Sequence, residues 1–172
     1  MGLDVPYLVA GSTHPNVRKH QGEVYRDGLQ ELAVDLGVAD LIRFDDRYCT
    51  WREQQDWVDA ATFVLLPYDN PDQVTSGVLV EAMAAGKPVI ATAFAHAREL
   101  SATGALFVVD HAASEQIAAA MHELVTDAEL LRRMETSARI EGMRCDWGVV
   151  GHRYAELLHA STQFATSGSA VR

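Results

Sequence analysis

The chain has 172 residues, 48% hydrophobic and 22% charged, which suits one soluble globular domain with a buried core. Its formal charge of −10 argues against a nucleic-acid coat, which needs a basic face, though not against an anionic small ligand held in one local pocket. No run approaches the roughly 20 apolar residues of a membrane-spanning helix, and the N-terminus has neither the basic nor the apolar region of a signal peptide, so no transmembrane segment and a cytoplasmic location are expected.

Apolar runs and amphipathic stretches then alternate along the chain. Val5 to Ala10 reads as a buried strand, closed by the loop Gly11 to Asn16 with its Gly and Pro. From Gly22 to Leu36, Val24, Leu29, Leu32, Ala33 and Leu36 recur at helical spacing, and Gly37 suits the stop. Leu41 to Phe44 is a short strand. Trp51 to Ala61 reads as a helix with Thr50 as N-cap and Glu53 three residues on, the spacing of a capping box. Strands at Thr62 to Tyr68, Val89 to Ala93 and Leu106 to Val109 are separated by helices at 76–86 and Ala95 to Leu100. Three helices end the pattern, at Ser114 to Thr126, Asp127 to about Arg144 and Trp147 to Leu158. The Ser-, Thr-, Ala- and Gly-rich tail from Ser161 to Arg172 is expected to be disordered.

Continuous apolar strands separated by helices predict an α/β fold with a doubly wound, Rossmann-like parallel sheet, one domain over residues 1–160. In such folds ligands bind beyond the carboxyl ends of the strands. His14, Arg47, Tyr48, Gln73 to Gly77 and His96 all follow predicted strand ends and are expected along one rim.

The most informative stretch is Pro67 to Ala91. It reads as a strand end, a polar loop, a helix opening at Thr75-Ser76-Gly77, and a second strand. A loop feeding a helix N-terminus presents unpaired amides and the positive end of the helix dipole, which suits a phosphate. Glu81, one to two turns along, can bind hydroxyls of whatever carries that phosphate. Together they suggest a phosphorylated, polyhydroxylated ligand such as a nucleotide sugar.

Each candidate has a plainer reading. Glu81 could sit on an ordinary exposed helix, Ser76 could be only an N-cap, and His14 beside Pro15 could close a turn. Arg18 and Lys19 read as solvated charges, and the three tryptophans as core or helix-packing residues. The seven histidines show no metal-ligand spacing, so no metal is expected. Cys49 and Cys145 stand in no Cys-x-x-Cys pattern and read as free thiols.

The sequence resembles the C-terminal, donor-binding half of group 1 (family 4) retaining glycosyltransferases of the GT-B architecture. The resemblance rests on Phe63-Val-Leu-Leu-Pro67 and on Gly77-Val-Leu-Val-Glu81-Ala-Met-Ala-Ala-Gly86-Lys-Pro-Val-Ile-Ala-Thr92. It continues through Gly104 to Val109, Leu124 to Leu130, Trp147 and Arg153-Tyr154, and leaves out only the tail. It implies metal- and cofactor-independent transfer of a sugar from a nucleotide sugar to an acceptor hydroxyl, with retention. Glu81 would hold the ribose and position 73 would face the sugar, these two being the residues nearest to catalysis. The amides of Ser76, Gly77 and Val78, beside Thr75, would face the diphosphate, and Arg47 and Tyr48 would line the base pocket.

Two departures stand out. The family carries a glutamate where this chain has Gln73, and Gly-Phe-Gly where it has Val74-Thr75-Ser76. Nothing before Val5 matches the strand and basic loop that open the family's donor half, and that strand would lie between the strands at 5–10 and 62–68. The chain is therefore expected to be part of a longer enzyme, its acceptor-binding N-terminal domain on the same or another chain. Two rivals share the architecture: a non-catalytic nucleotide-sugar-binding or assembly module, and a sugar-nucleotide epimerase.

Overall fold

A computed structural model describes residues 4–70 and 72–167. The chain divides into two compact units, Met1–Gln54 and Gln55–Arg172, and strand pairing follows that division.

The first unit holds β1 (Tyr7–Ala10), α1 (Pro15–Gln21), α2 (Val24–Asp35), a 3-10 turn at Ala39–Leu41, β2 (Ile42–Asp45) and the start of α3 (Trp51–Ala60). β1 and β2 pair in parallel, with Tyr7 opposite Ile42 and Ala10 opposite Asp45. Helix α1 falls where the sequence suggested only a loop. Val17 is the one large apolar residue between Pro15 and Gln21, so no periodic stripe announces it; a proline in the first turn and a His14 cap start it instead. The capping box before α3 forms as read: the Thr50 amide donates to Glu53 Oε2 at 2.9 Å and the Glu53 amide to Thr50 Oγ1 at 3.3 Å.

The second unit holds β3 (Val64–Leu66), α4 (Gly77–Ala84), β4 (Val89–Thr92), α5 (Ala95–Leu100), β5 (Leu106–Val109), α6 (Ser114–Thr126), α7 (Ala128–Arg144) and α8 (Trp147–Ser167). Its sheet has the order β3-β4-β5, all parallel. All four residues of the central strand are buried. Because side chains alternate across a strand, Val89 and Ala91 join Leu79, Met83, Phe94 and Ala138, while Ile90 packs with Val109, Ala120, Leu124 and Met134. Both faces of this sheet are thus covered, and each fully buried large side chain contributes about 1.5–3 kcal/mol. These faces hold the sheet on which the candidate site stands.

Helix α4 ends on Gly86 at φ 71°. The Gly86 amide donates to the Met83 oxygen at 2.8 Å and the Lys87 amide to the Ala82 oxygen at 2.9 Å, a left-handed cap that turns the chain straight into β4.

Helix α8 runs on to Ser167. The tail expected to lack structure is therefore helical over 161–167, while residues 168–172 lie outside the described residues. Once a helix is nucleated each further residue adds a hydrogen bond, and from His152 to Ser167 the chain has neither Gly nor Pro. Of the tryptophans read as core or helix-packing residues, Trp147 and Trp51 are exposed, and Tyr154, Leu157 and Leu158 of α8 are exposed with them. Among the described residues no helix is long and apolar enough to cross a membrane. Cys49 and Cys145 are both free thiols.

Candidate functional site

The loop between β3 and α4 is fastened before the helix begins. The Gln73 amide donates to the Asn70 oxygen at 3.2 Å, and the Asp72 amide to the Asn70 side-chain oxygen at 3.0 Å. The carbonyl oxygens of Gln73 and Val74 accept from the amides of Ala95 and His96, in the first turn of α5, at 3.4 and 3.1 Å. A polar loop therefore arrives at Ser76 along a fixed path.

Ser76 is the N-cap of α4, with extended backbone, and its Oγ accepts the Leu79 amide at 3.2 Å. Gly77 and Val78 occupy the first turn, where amides have no intrahelical partner, and the carbonyls four residues back, of Gln73 and Val74, accept from α5 instead. Gly77 is exposed, and a Cβ built on it meets nothing within 4 Å. Its surroundings are open to a ligand. Glu81 lies four residues after Gly77, one turn along the same helix face, and is half-buried.

The Gln73 side chain turns back on its own loop, its amide donating to the Thr75 oxygen. Thr75 is exposed. His96, whose main chain anchors the loop, has a buried Nδ1 without a hydrogen-bond partner among the described residues. Gln73, Thr75, Ser76, Gly77, Val78 and Glu81 thus fall on one loop–helix corner of the second unit.

Sequence reasoning missed the support beneath this corner. Tyr68, just past β3, places its hydroxyl oxygen 3.0 Å from Ser76 Oγ. Its carbonyl oxygen accepts from Thr92 Oγ1 at 2.8 Å and lies 3.0 Å from His111 Nδ1. Thr92 ends β4 and His111 follows β5, so the carboxyl ends of three neighbouring strands meet at one residue.

The remaining candidates belong to the first unit. His14 Nδ1 accepts from the Asn16 amide at 3.2 Å, which makes it the cap of α1, and the same residue lines a cavity of about 260 Å³ with Thr13, Tyr25 and Arg26. Arg47 forks onto Asp45, with Nε 3.0 Å from Oδ1 and Nη2 2.9 Å from Oδ2, and its Nη1 lies 3.5 Å from Glu53. Its charge is answered locally, and the Arg47 guanidinium in turn holds the Asp45 carboxyl below the usual range. Tyr48 is 89% exposed and free of any packing role. Among the described residues no group of three or more His, Cys, Asp or Glu side chains could hold a metal ion.

Comparison with known proteins gives this corner a family. Residues 4–127 match the profile of the family described as Glycosyl transferases group 1. The D-inositol 3-phosphate glycosyltransferase of Streptomyces bingchenggensis is 34% identical over 121 residues, 69% of this chain and 26% of that protein. This chain therefore spans about a quarter of that relative's length. Among solved structures, Anabaena HepE in complex with UDP superposes with a TM-score of 0.77 at 21% identity, over 91% of this chain and 41% of that one. The C-terminal domain of a group 1 glycosyl transferase family protein from Francisella tularensis gives a TM-score of 0.63 at 17% identity, over 78% of this chain and 84% of that one. At these identities the structures establish shared fold, that of the Rossmann-like C-terminal domain of GT-B glycosyltransferases. The profile match covers well over half of the sequence, and the chain belongs to the group 1 glycosyltransferases.

Proposed function

We propose that this chain is the donor-binding part of a retaining glycosyltransferase, one that passes a sugar from a nucleotide sugar to an acceptor hydroxyl supplied by a further domain on the same or another chain. The observation that carries the reading is the α4 mouth: the Gly77 and Val78 amides beside the Ser76 cap, with Glu81 one turn along the same face. The amides and the helix dipole stabilise the diphosphate, both when bound and as the leaving group, and Glu81 accepts hydrogen bonds from the ribose hydroxyls. Such chemistry needs positioning more than it needs covalent help. Gln73 reaches the sugar without adding charge. The reading stands on the second unit alone, since His14, Arg47 and Tyr48 belong to the first.

Two comparisons support the reading: a relative named for glycosyl transfer to D-inositol 3-phosphate, and a fold neighbour solved with UDP. UDP is accordingly the probe of choice, and the work site is taken to be the cytoplasm. Calorimetric titration of the chain with UDP is expected to show binding. Glu81→Ala is expected to weaken it about tenfold or more, since a hydrogen bond to a charged group contributes roughly 1.5–3 kcal/mol. Wild-type affinity in the Glu81→Ala protein would sink the assignment.

A further inference from the structure

Tyr68 is held at both ends. Its ring packs on Phe94, with centroids 5.3 Å apart and planes tilted by 53°. Its carbonyl oxygen has two lone pairs, and two side chains meet it: Thr92 Oγ1 at 2.8 Å and His111 Nδ1 at 3.0 Å. A carbonyl can only accept, so His111 carries a proton on Nδ1. With ring and main chain fixed, the hydroxyl stands 3.0 Å from Ser76 Oγ.

The direction of that last bond decides what Ser76 can do. A serine hydroxyl has one hydrogen and two lone pairs, and one lone pair already accepts the Leu79 amide. A phenol hydroxyl is a stronger hydrogen-bond donor than an aliphatic alcohol. If Tyr68 donates, both lone pairs of Ser76 Oγ are filled and its hydrogen points away from Tyr68 and Leu79. If Ser76 donated instead, that hydrogen would be tied up against the tyrosine.

We propose that Tyr68 is a positioning residue: its hydroxyl donates to Ser76 Oγ and so leaves the Ser76 O–H to donate to a phosphoryl oxygen of the nucleotide at the α4 mouth. This rests on the donor-binding reading above and adds to it. The resemblance usually places Gly-Phe-Gly where this chain has Val74-Thr75-Ser76, so Ser76 brings a hydroxyl to a position where that pattern has none. A hydrogen bond to a charged phosphoryl oxygen is shorter and stronger than one between neutral groups. The pair therefore acts on phosphate and not on the nucleoside.

The test is a double-mutant cycle on the full chain, titrating UDP and, by competition, uridine into wild type, Tyr68→Phe, Ser76→Ala and the double variant. Tyr68→Phe keeps the ring against Phe94 and removes only the donor. It is expected to weaken UDP about tenfold and to leave uridine unchanged. Ser76→Ala should do at least as much to UDP and again spare uridine. The double variant should bind UDP no more weakly than Ser76→Ala. Additive losses, equal losses for uridine and UDP, or unchanged UDP binding by Tyr68→Phe would each overturn the proposal. Should Tyr68→Phe fail to fold, wild-type UDP affinity in Ser76→Ala overturns it alone. A wild-type chain that does not bind UDP at all removes the donor-binding reading itself, whereas normal wild-type binding with silent variants removes only the role of Tyr68.

Discussion

A Cβ on Gly142 of α7 would lie 2.5 Å from the Met83 main-chain oxygen of α4 and 2.6 Å from Ala84 Cα. The two helices meet backbone to backbone at that point, and only a residue without a side chain fits. Nothing at the end of a flexible side chain is available to give way, so the helices must separate to admit a methyl group. Gly142→Ala is expected to cost about 1–3 kcal/mol, in the range of overpacked cores. At about 2–4 °C per kcal/mol for a chain of this size, the thermal midpoint falls by several degrees. Because α4 carries the candidate site, UDP affinity should fall with it; a midpoint equal to wild type would contradict the contact.

Asp127 offers a control far from the α4 mouth in sequence. Its Oδ1 accepts from the Glu129 and Leu130 amides at 2.9 and 2.8 Å and so caps α7, while its own amide closes α6 on the Glu123 oxygen. Asp127→Ala removes the side-chain cap and keeps the main-chain bond. A loss of about 1 kcal/mol is expected, seen as a small drop in thermal midpoint with UDP binding intact.

Acid should loosen the first unit early. The Arg47 guanidinium holds the Asp45 carboxyl low, the Thr50 amide and hydroxyl do the same for Glu53, and the Thr13 hydroxyl, joined by Arg18, for Glu23. A carboxyl whose pKa is lowered by folding stabilises the fold fully above its unfolded value, near pH 4. That stabilisation disappears as the pH falls through the lower folded value. Thermal midpoints between pH 6 and pH 2 should therefore decline most steeply below about pH 4, and Asp45→Asn should flatten the curve. An identical slope in that variant would show that Asp45 plays no part.

Gln73→Glu exchanges an amide donor for a carboxylate. The new side chain cannot donate to the Thr75 oxygen as Gln73 does, so the loop loses that tie and gains a negative charge. UDP affinity is expected to change by less than about threefold, because a loop side chain at the surface is worth within roughly 0.5 kcal/mol. The difference between UDP-glucose and UDP should be what moves. Unchanged discrimination between those two ligands would place position 73 outside the sugar pocket.

Much of this was legible in the residues themselves. α5, β5 and α6 were read to the residue, since each stops at a polar residue, Ser101, Asp110 and Asp127 in turn. The corner from Ser76 to Glu81 was legible because a helix entrance declares itself twice, by its cap and by the glycine behind it. Helix α1 was hidden, since it gains its start from His14 and Pro15 and not from an apolar face. Tyr68, Thr92 and His111 were hidden for another reason: 24 residues separate Tyr68 from Thr92 and 43 from His111. Only parallel strand register, which no local pattern encodes, brings them together.

The loop carbonyls of Gln73 and Val74 rest on the first amides of α5, and this has a consequence for recognition. Those α5 donors are occupied, so an incoming anion meets an entrance that is already shaped and has little freedom left to lose. Association should thus be quick and nearly rigid, with selectivity residing in what the pocket already is rather than in what it becomes.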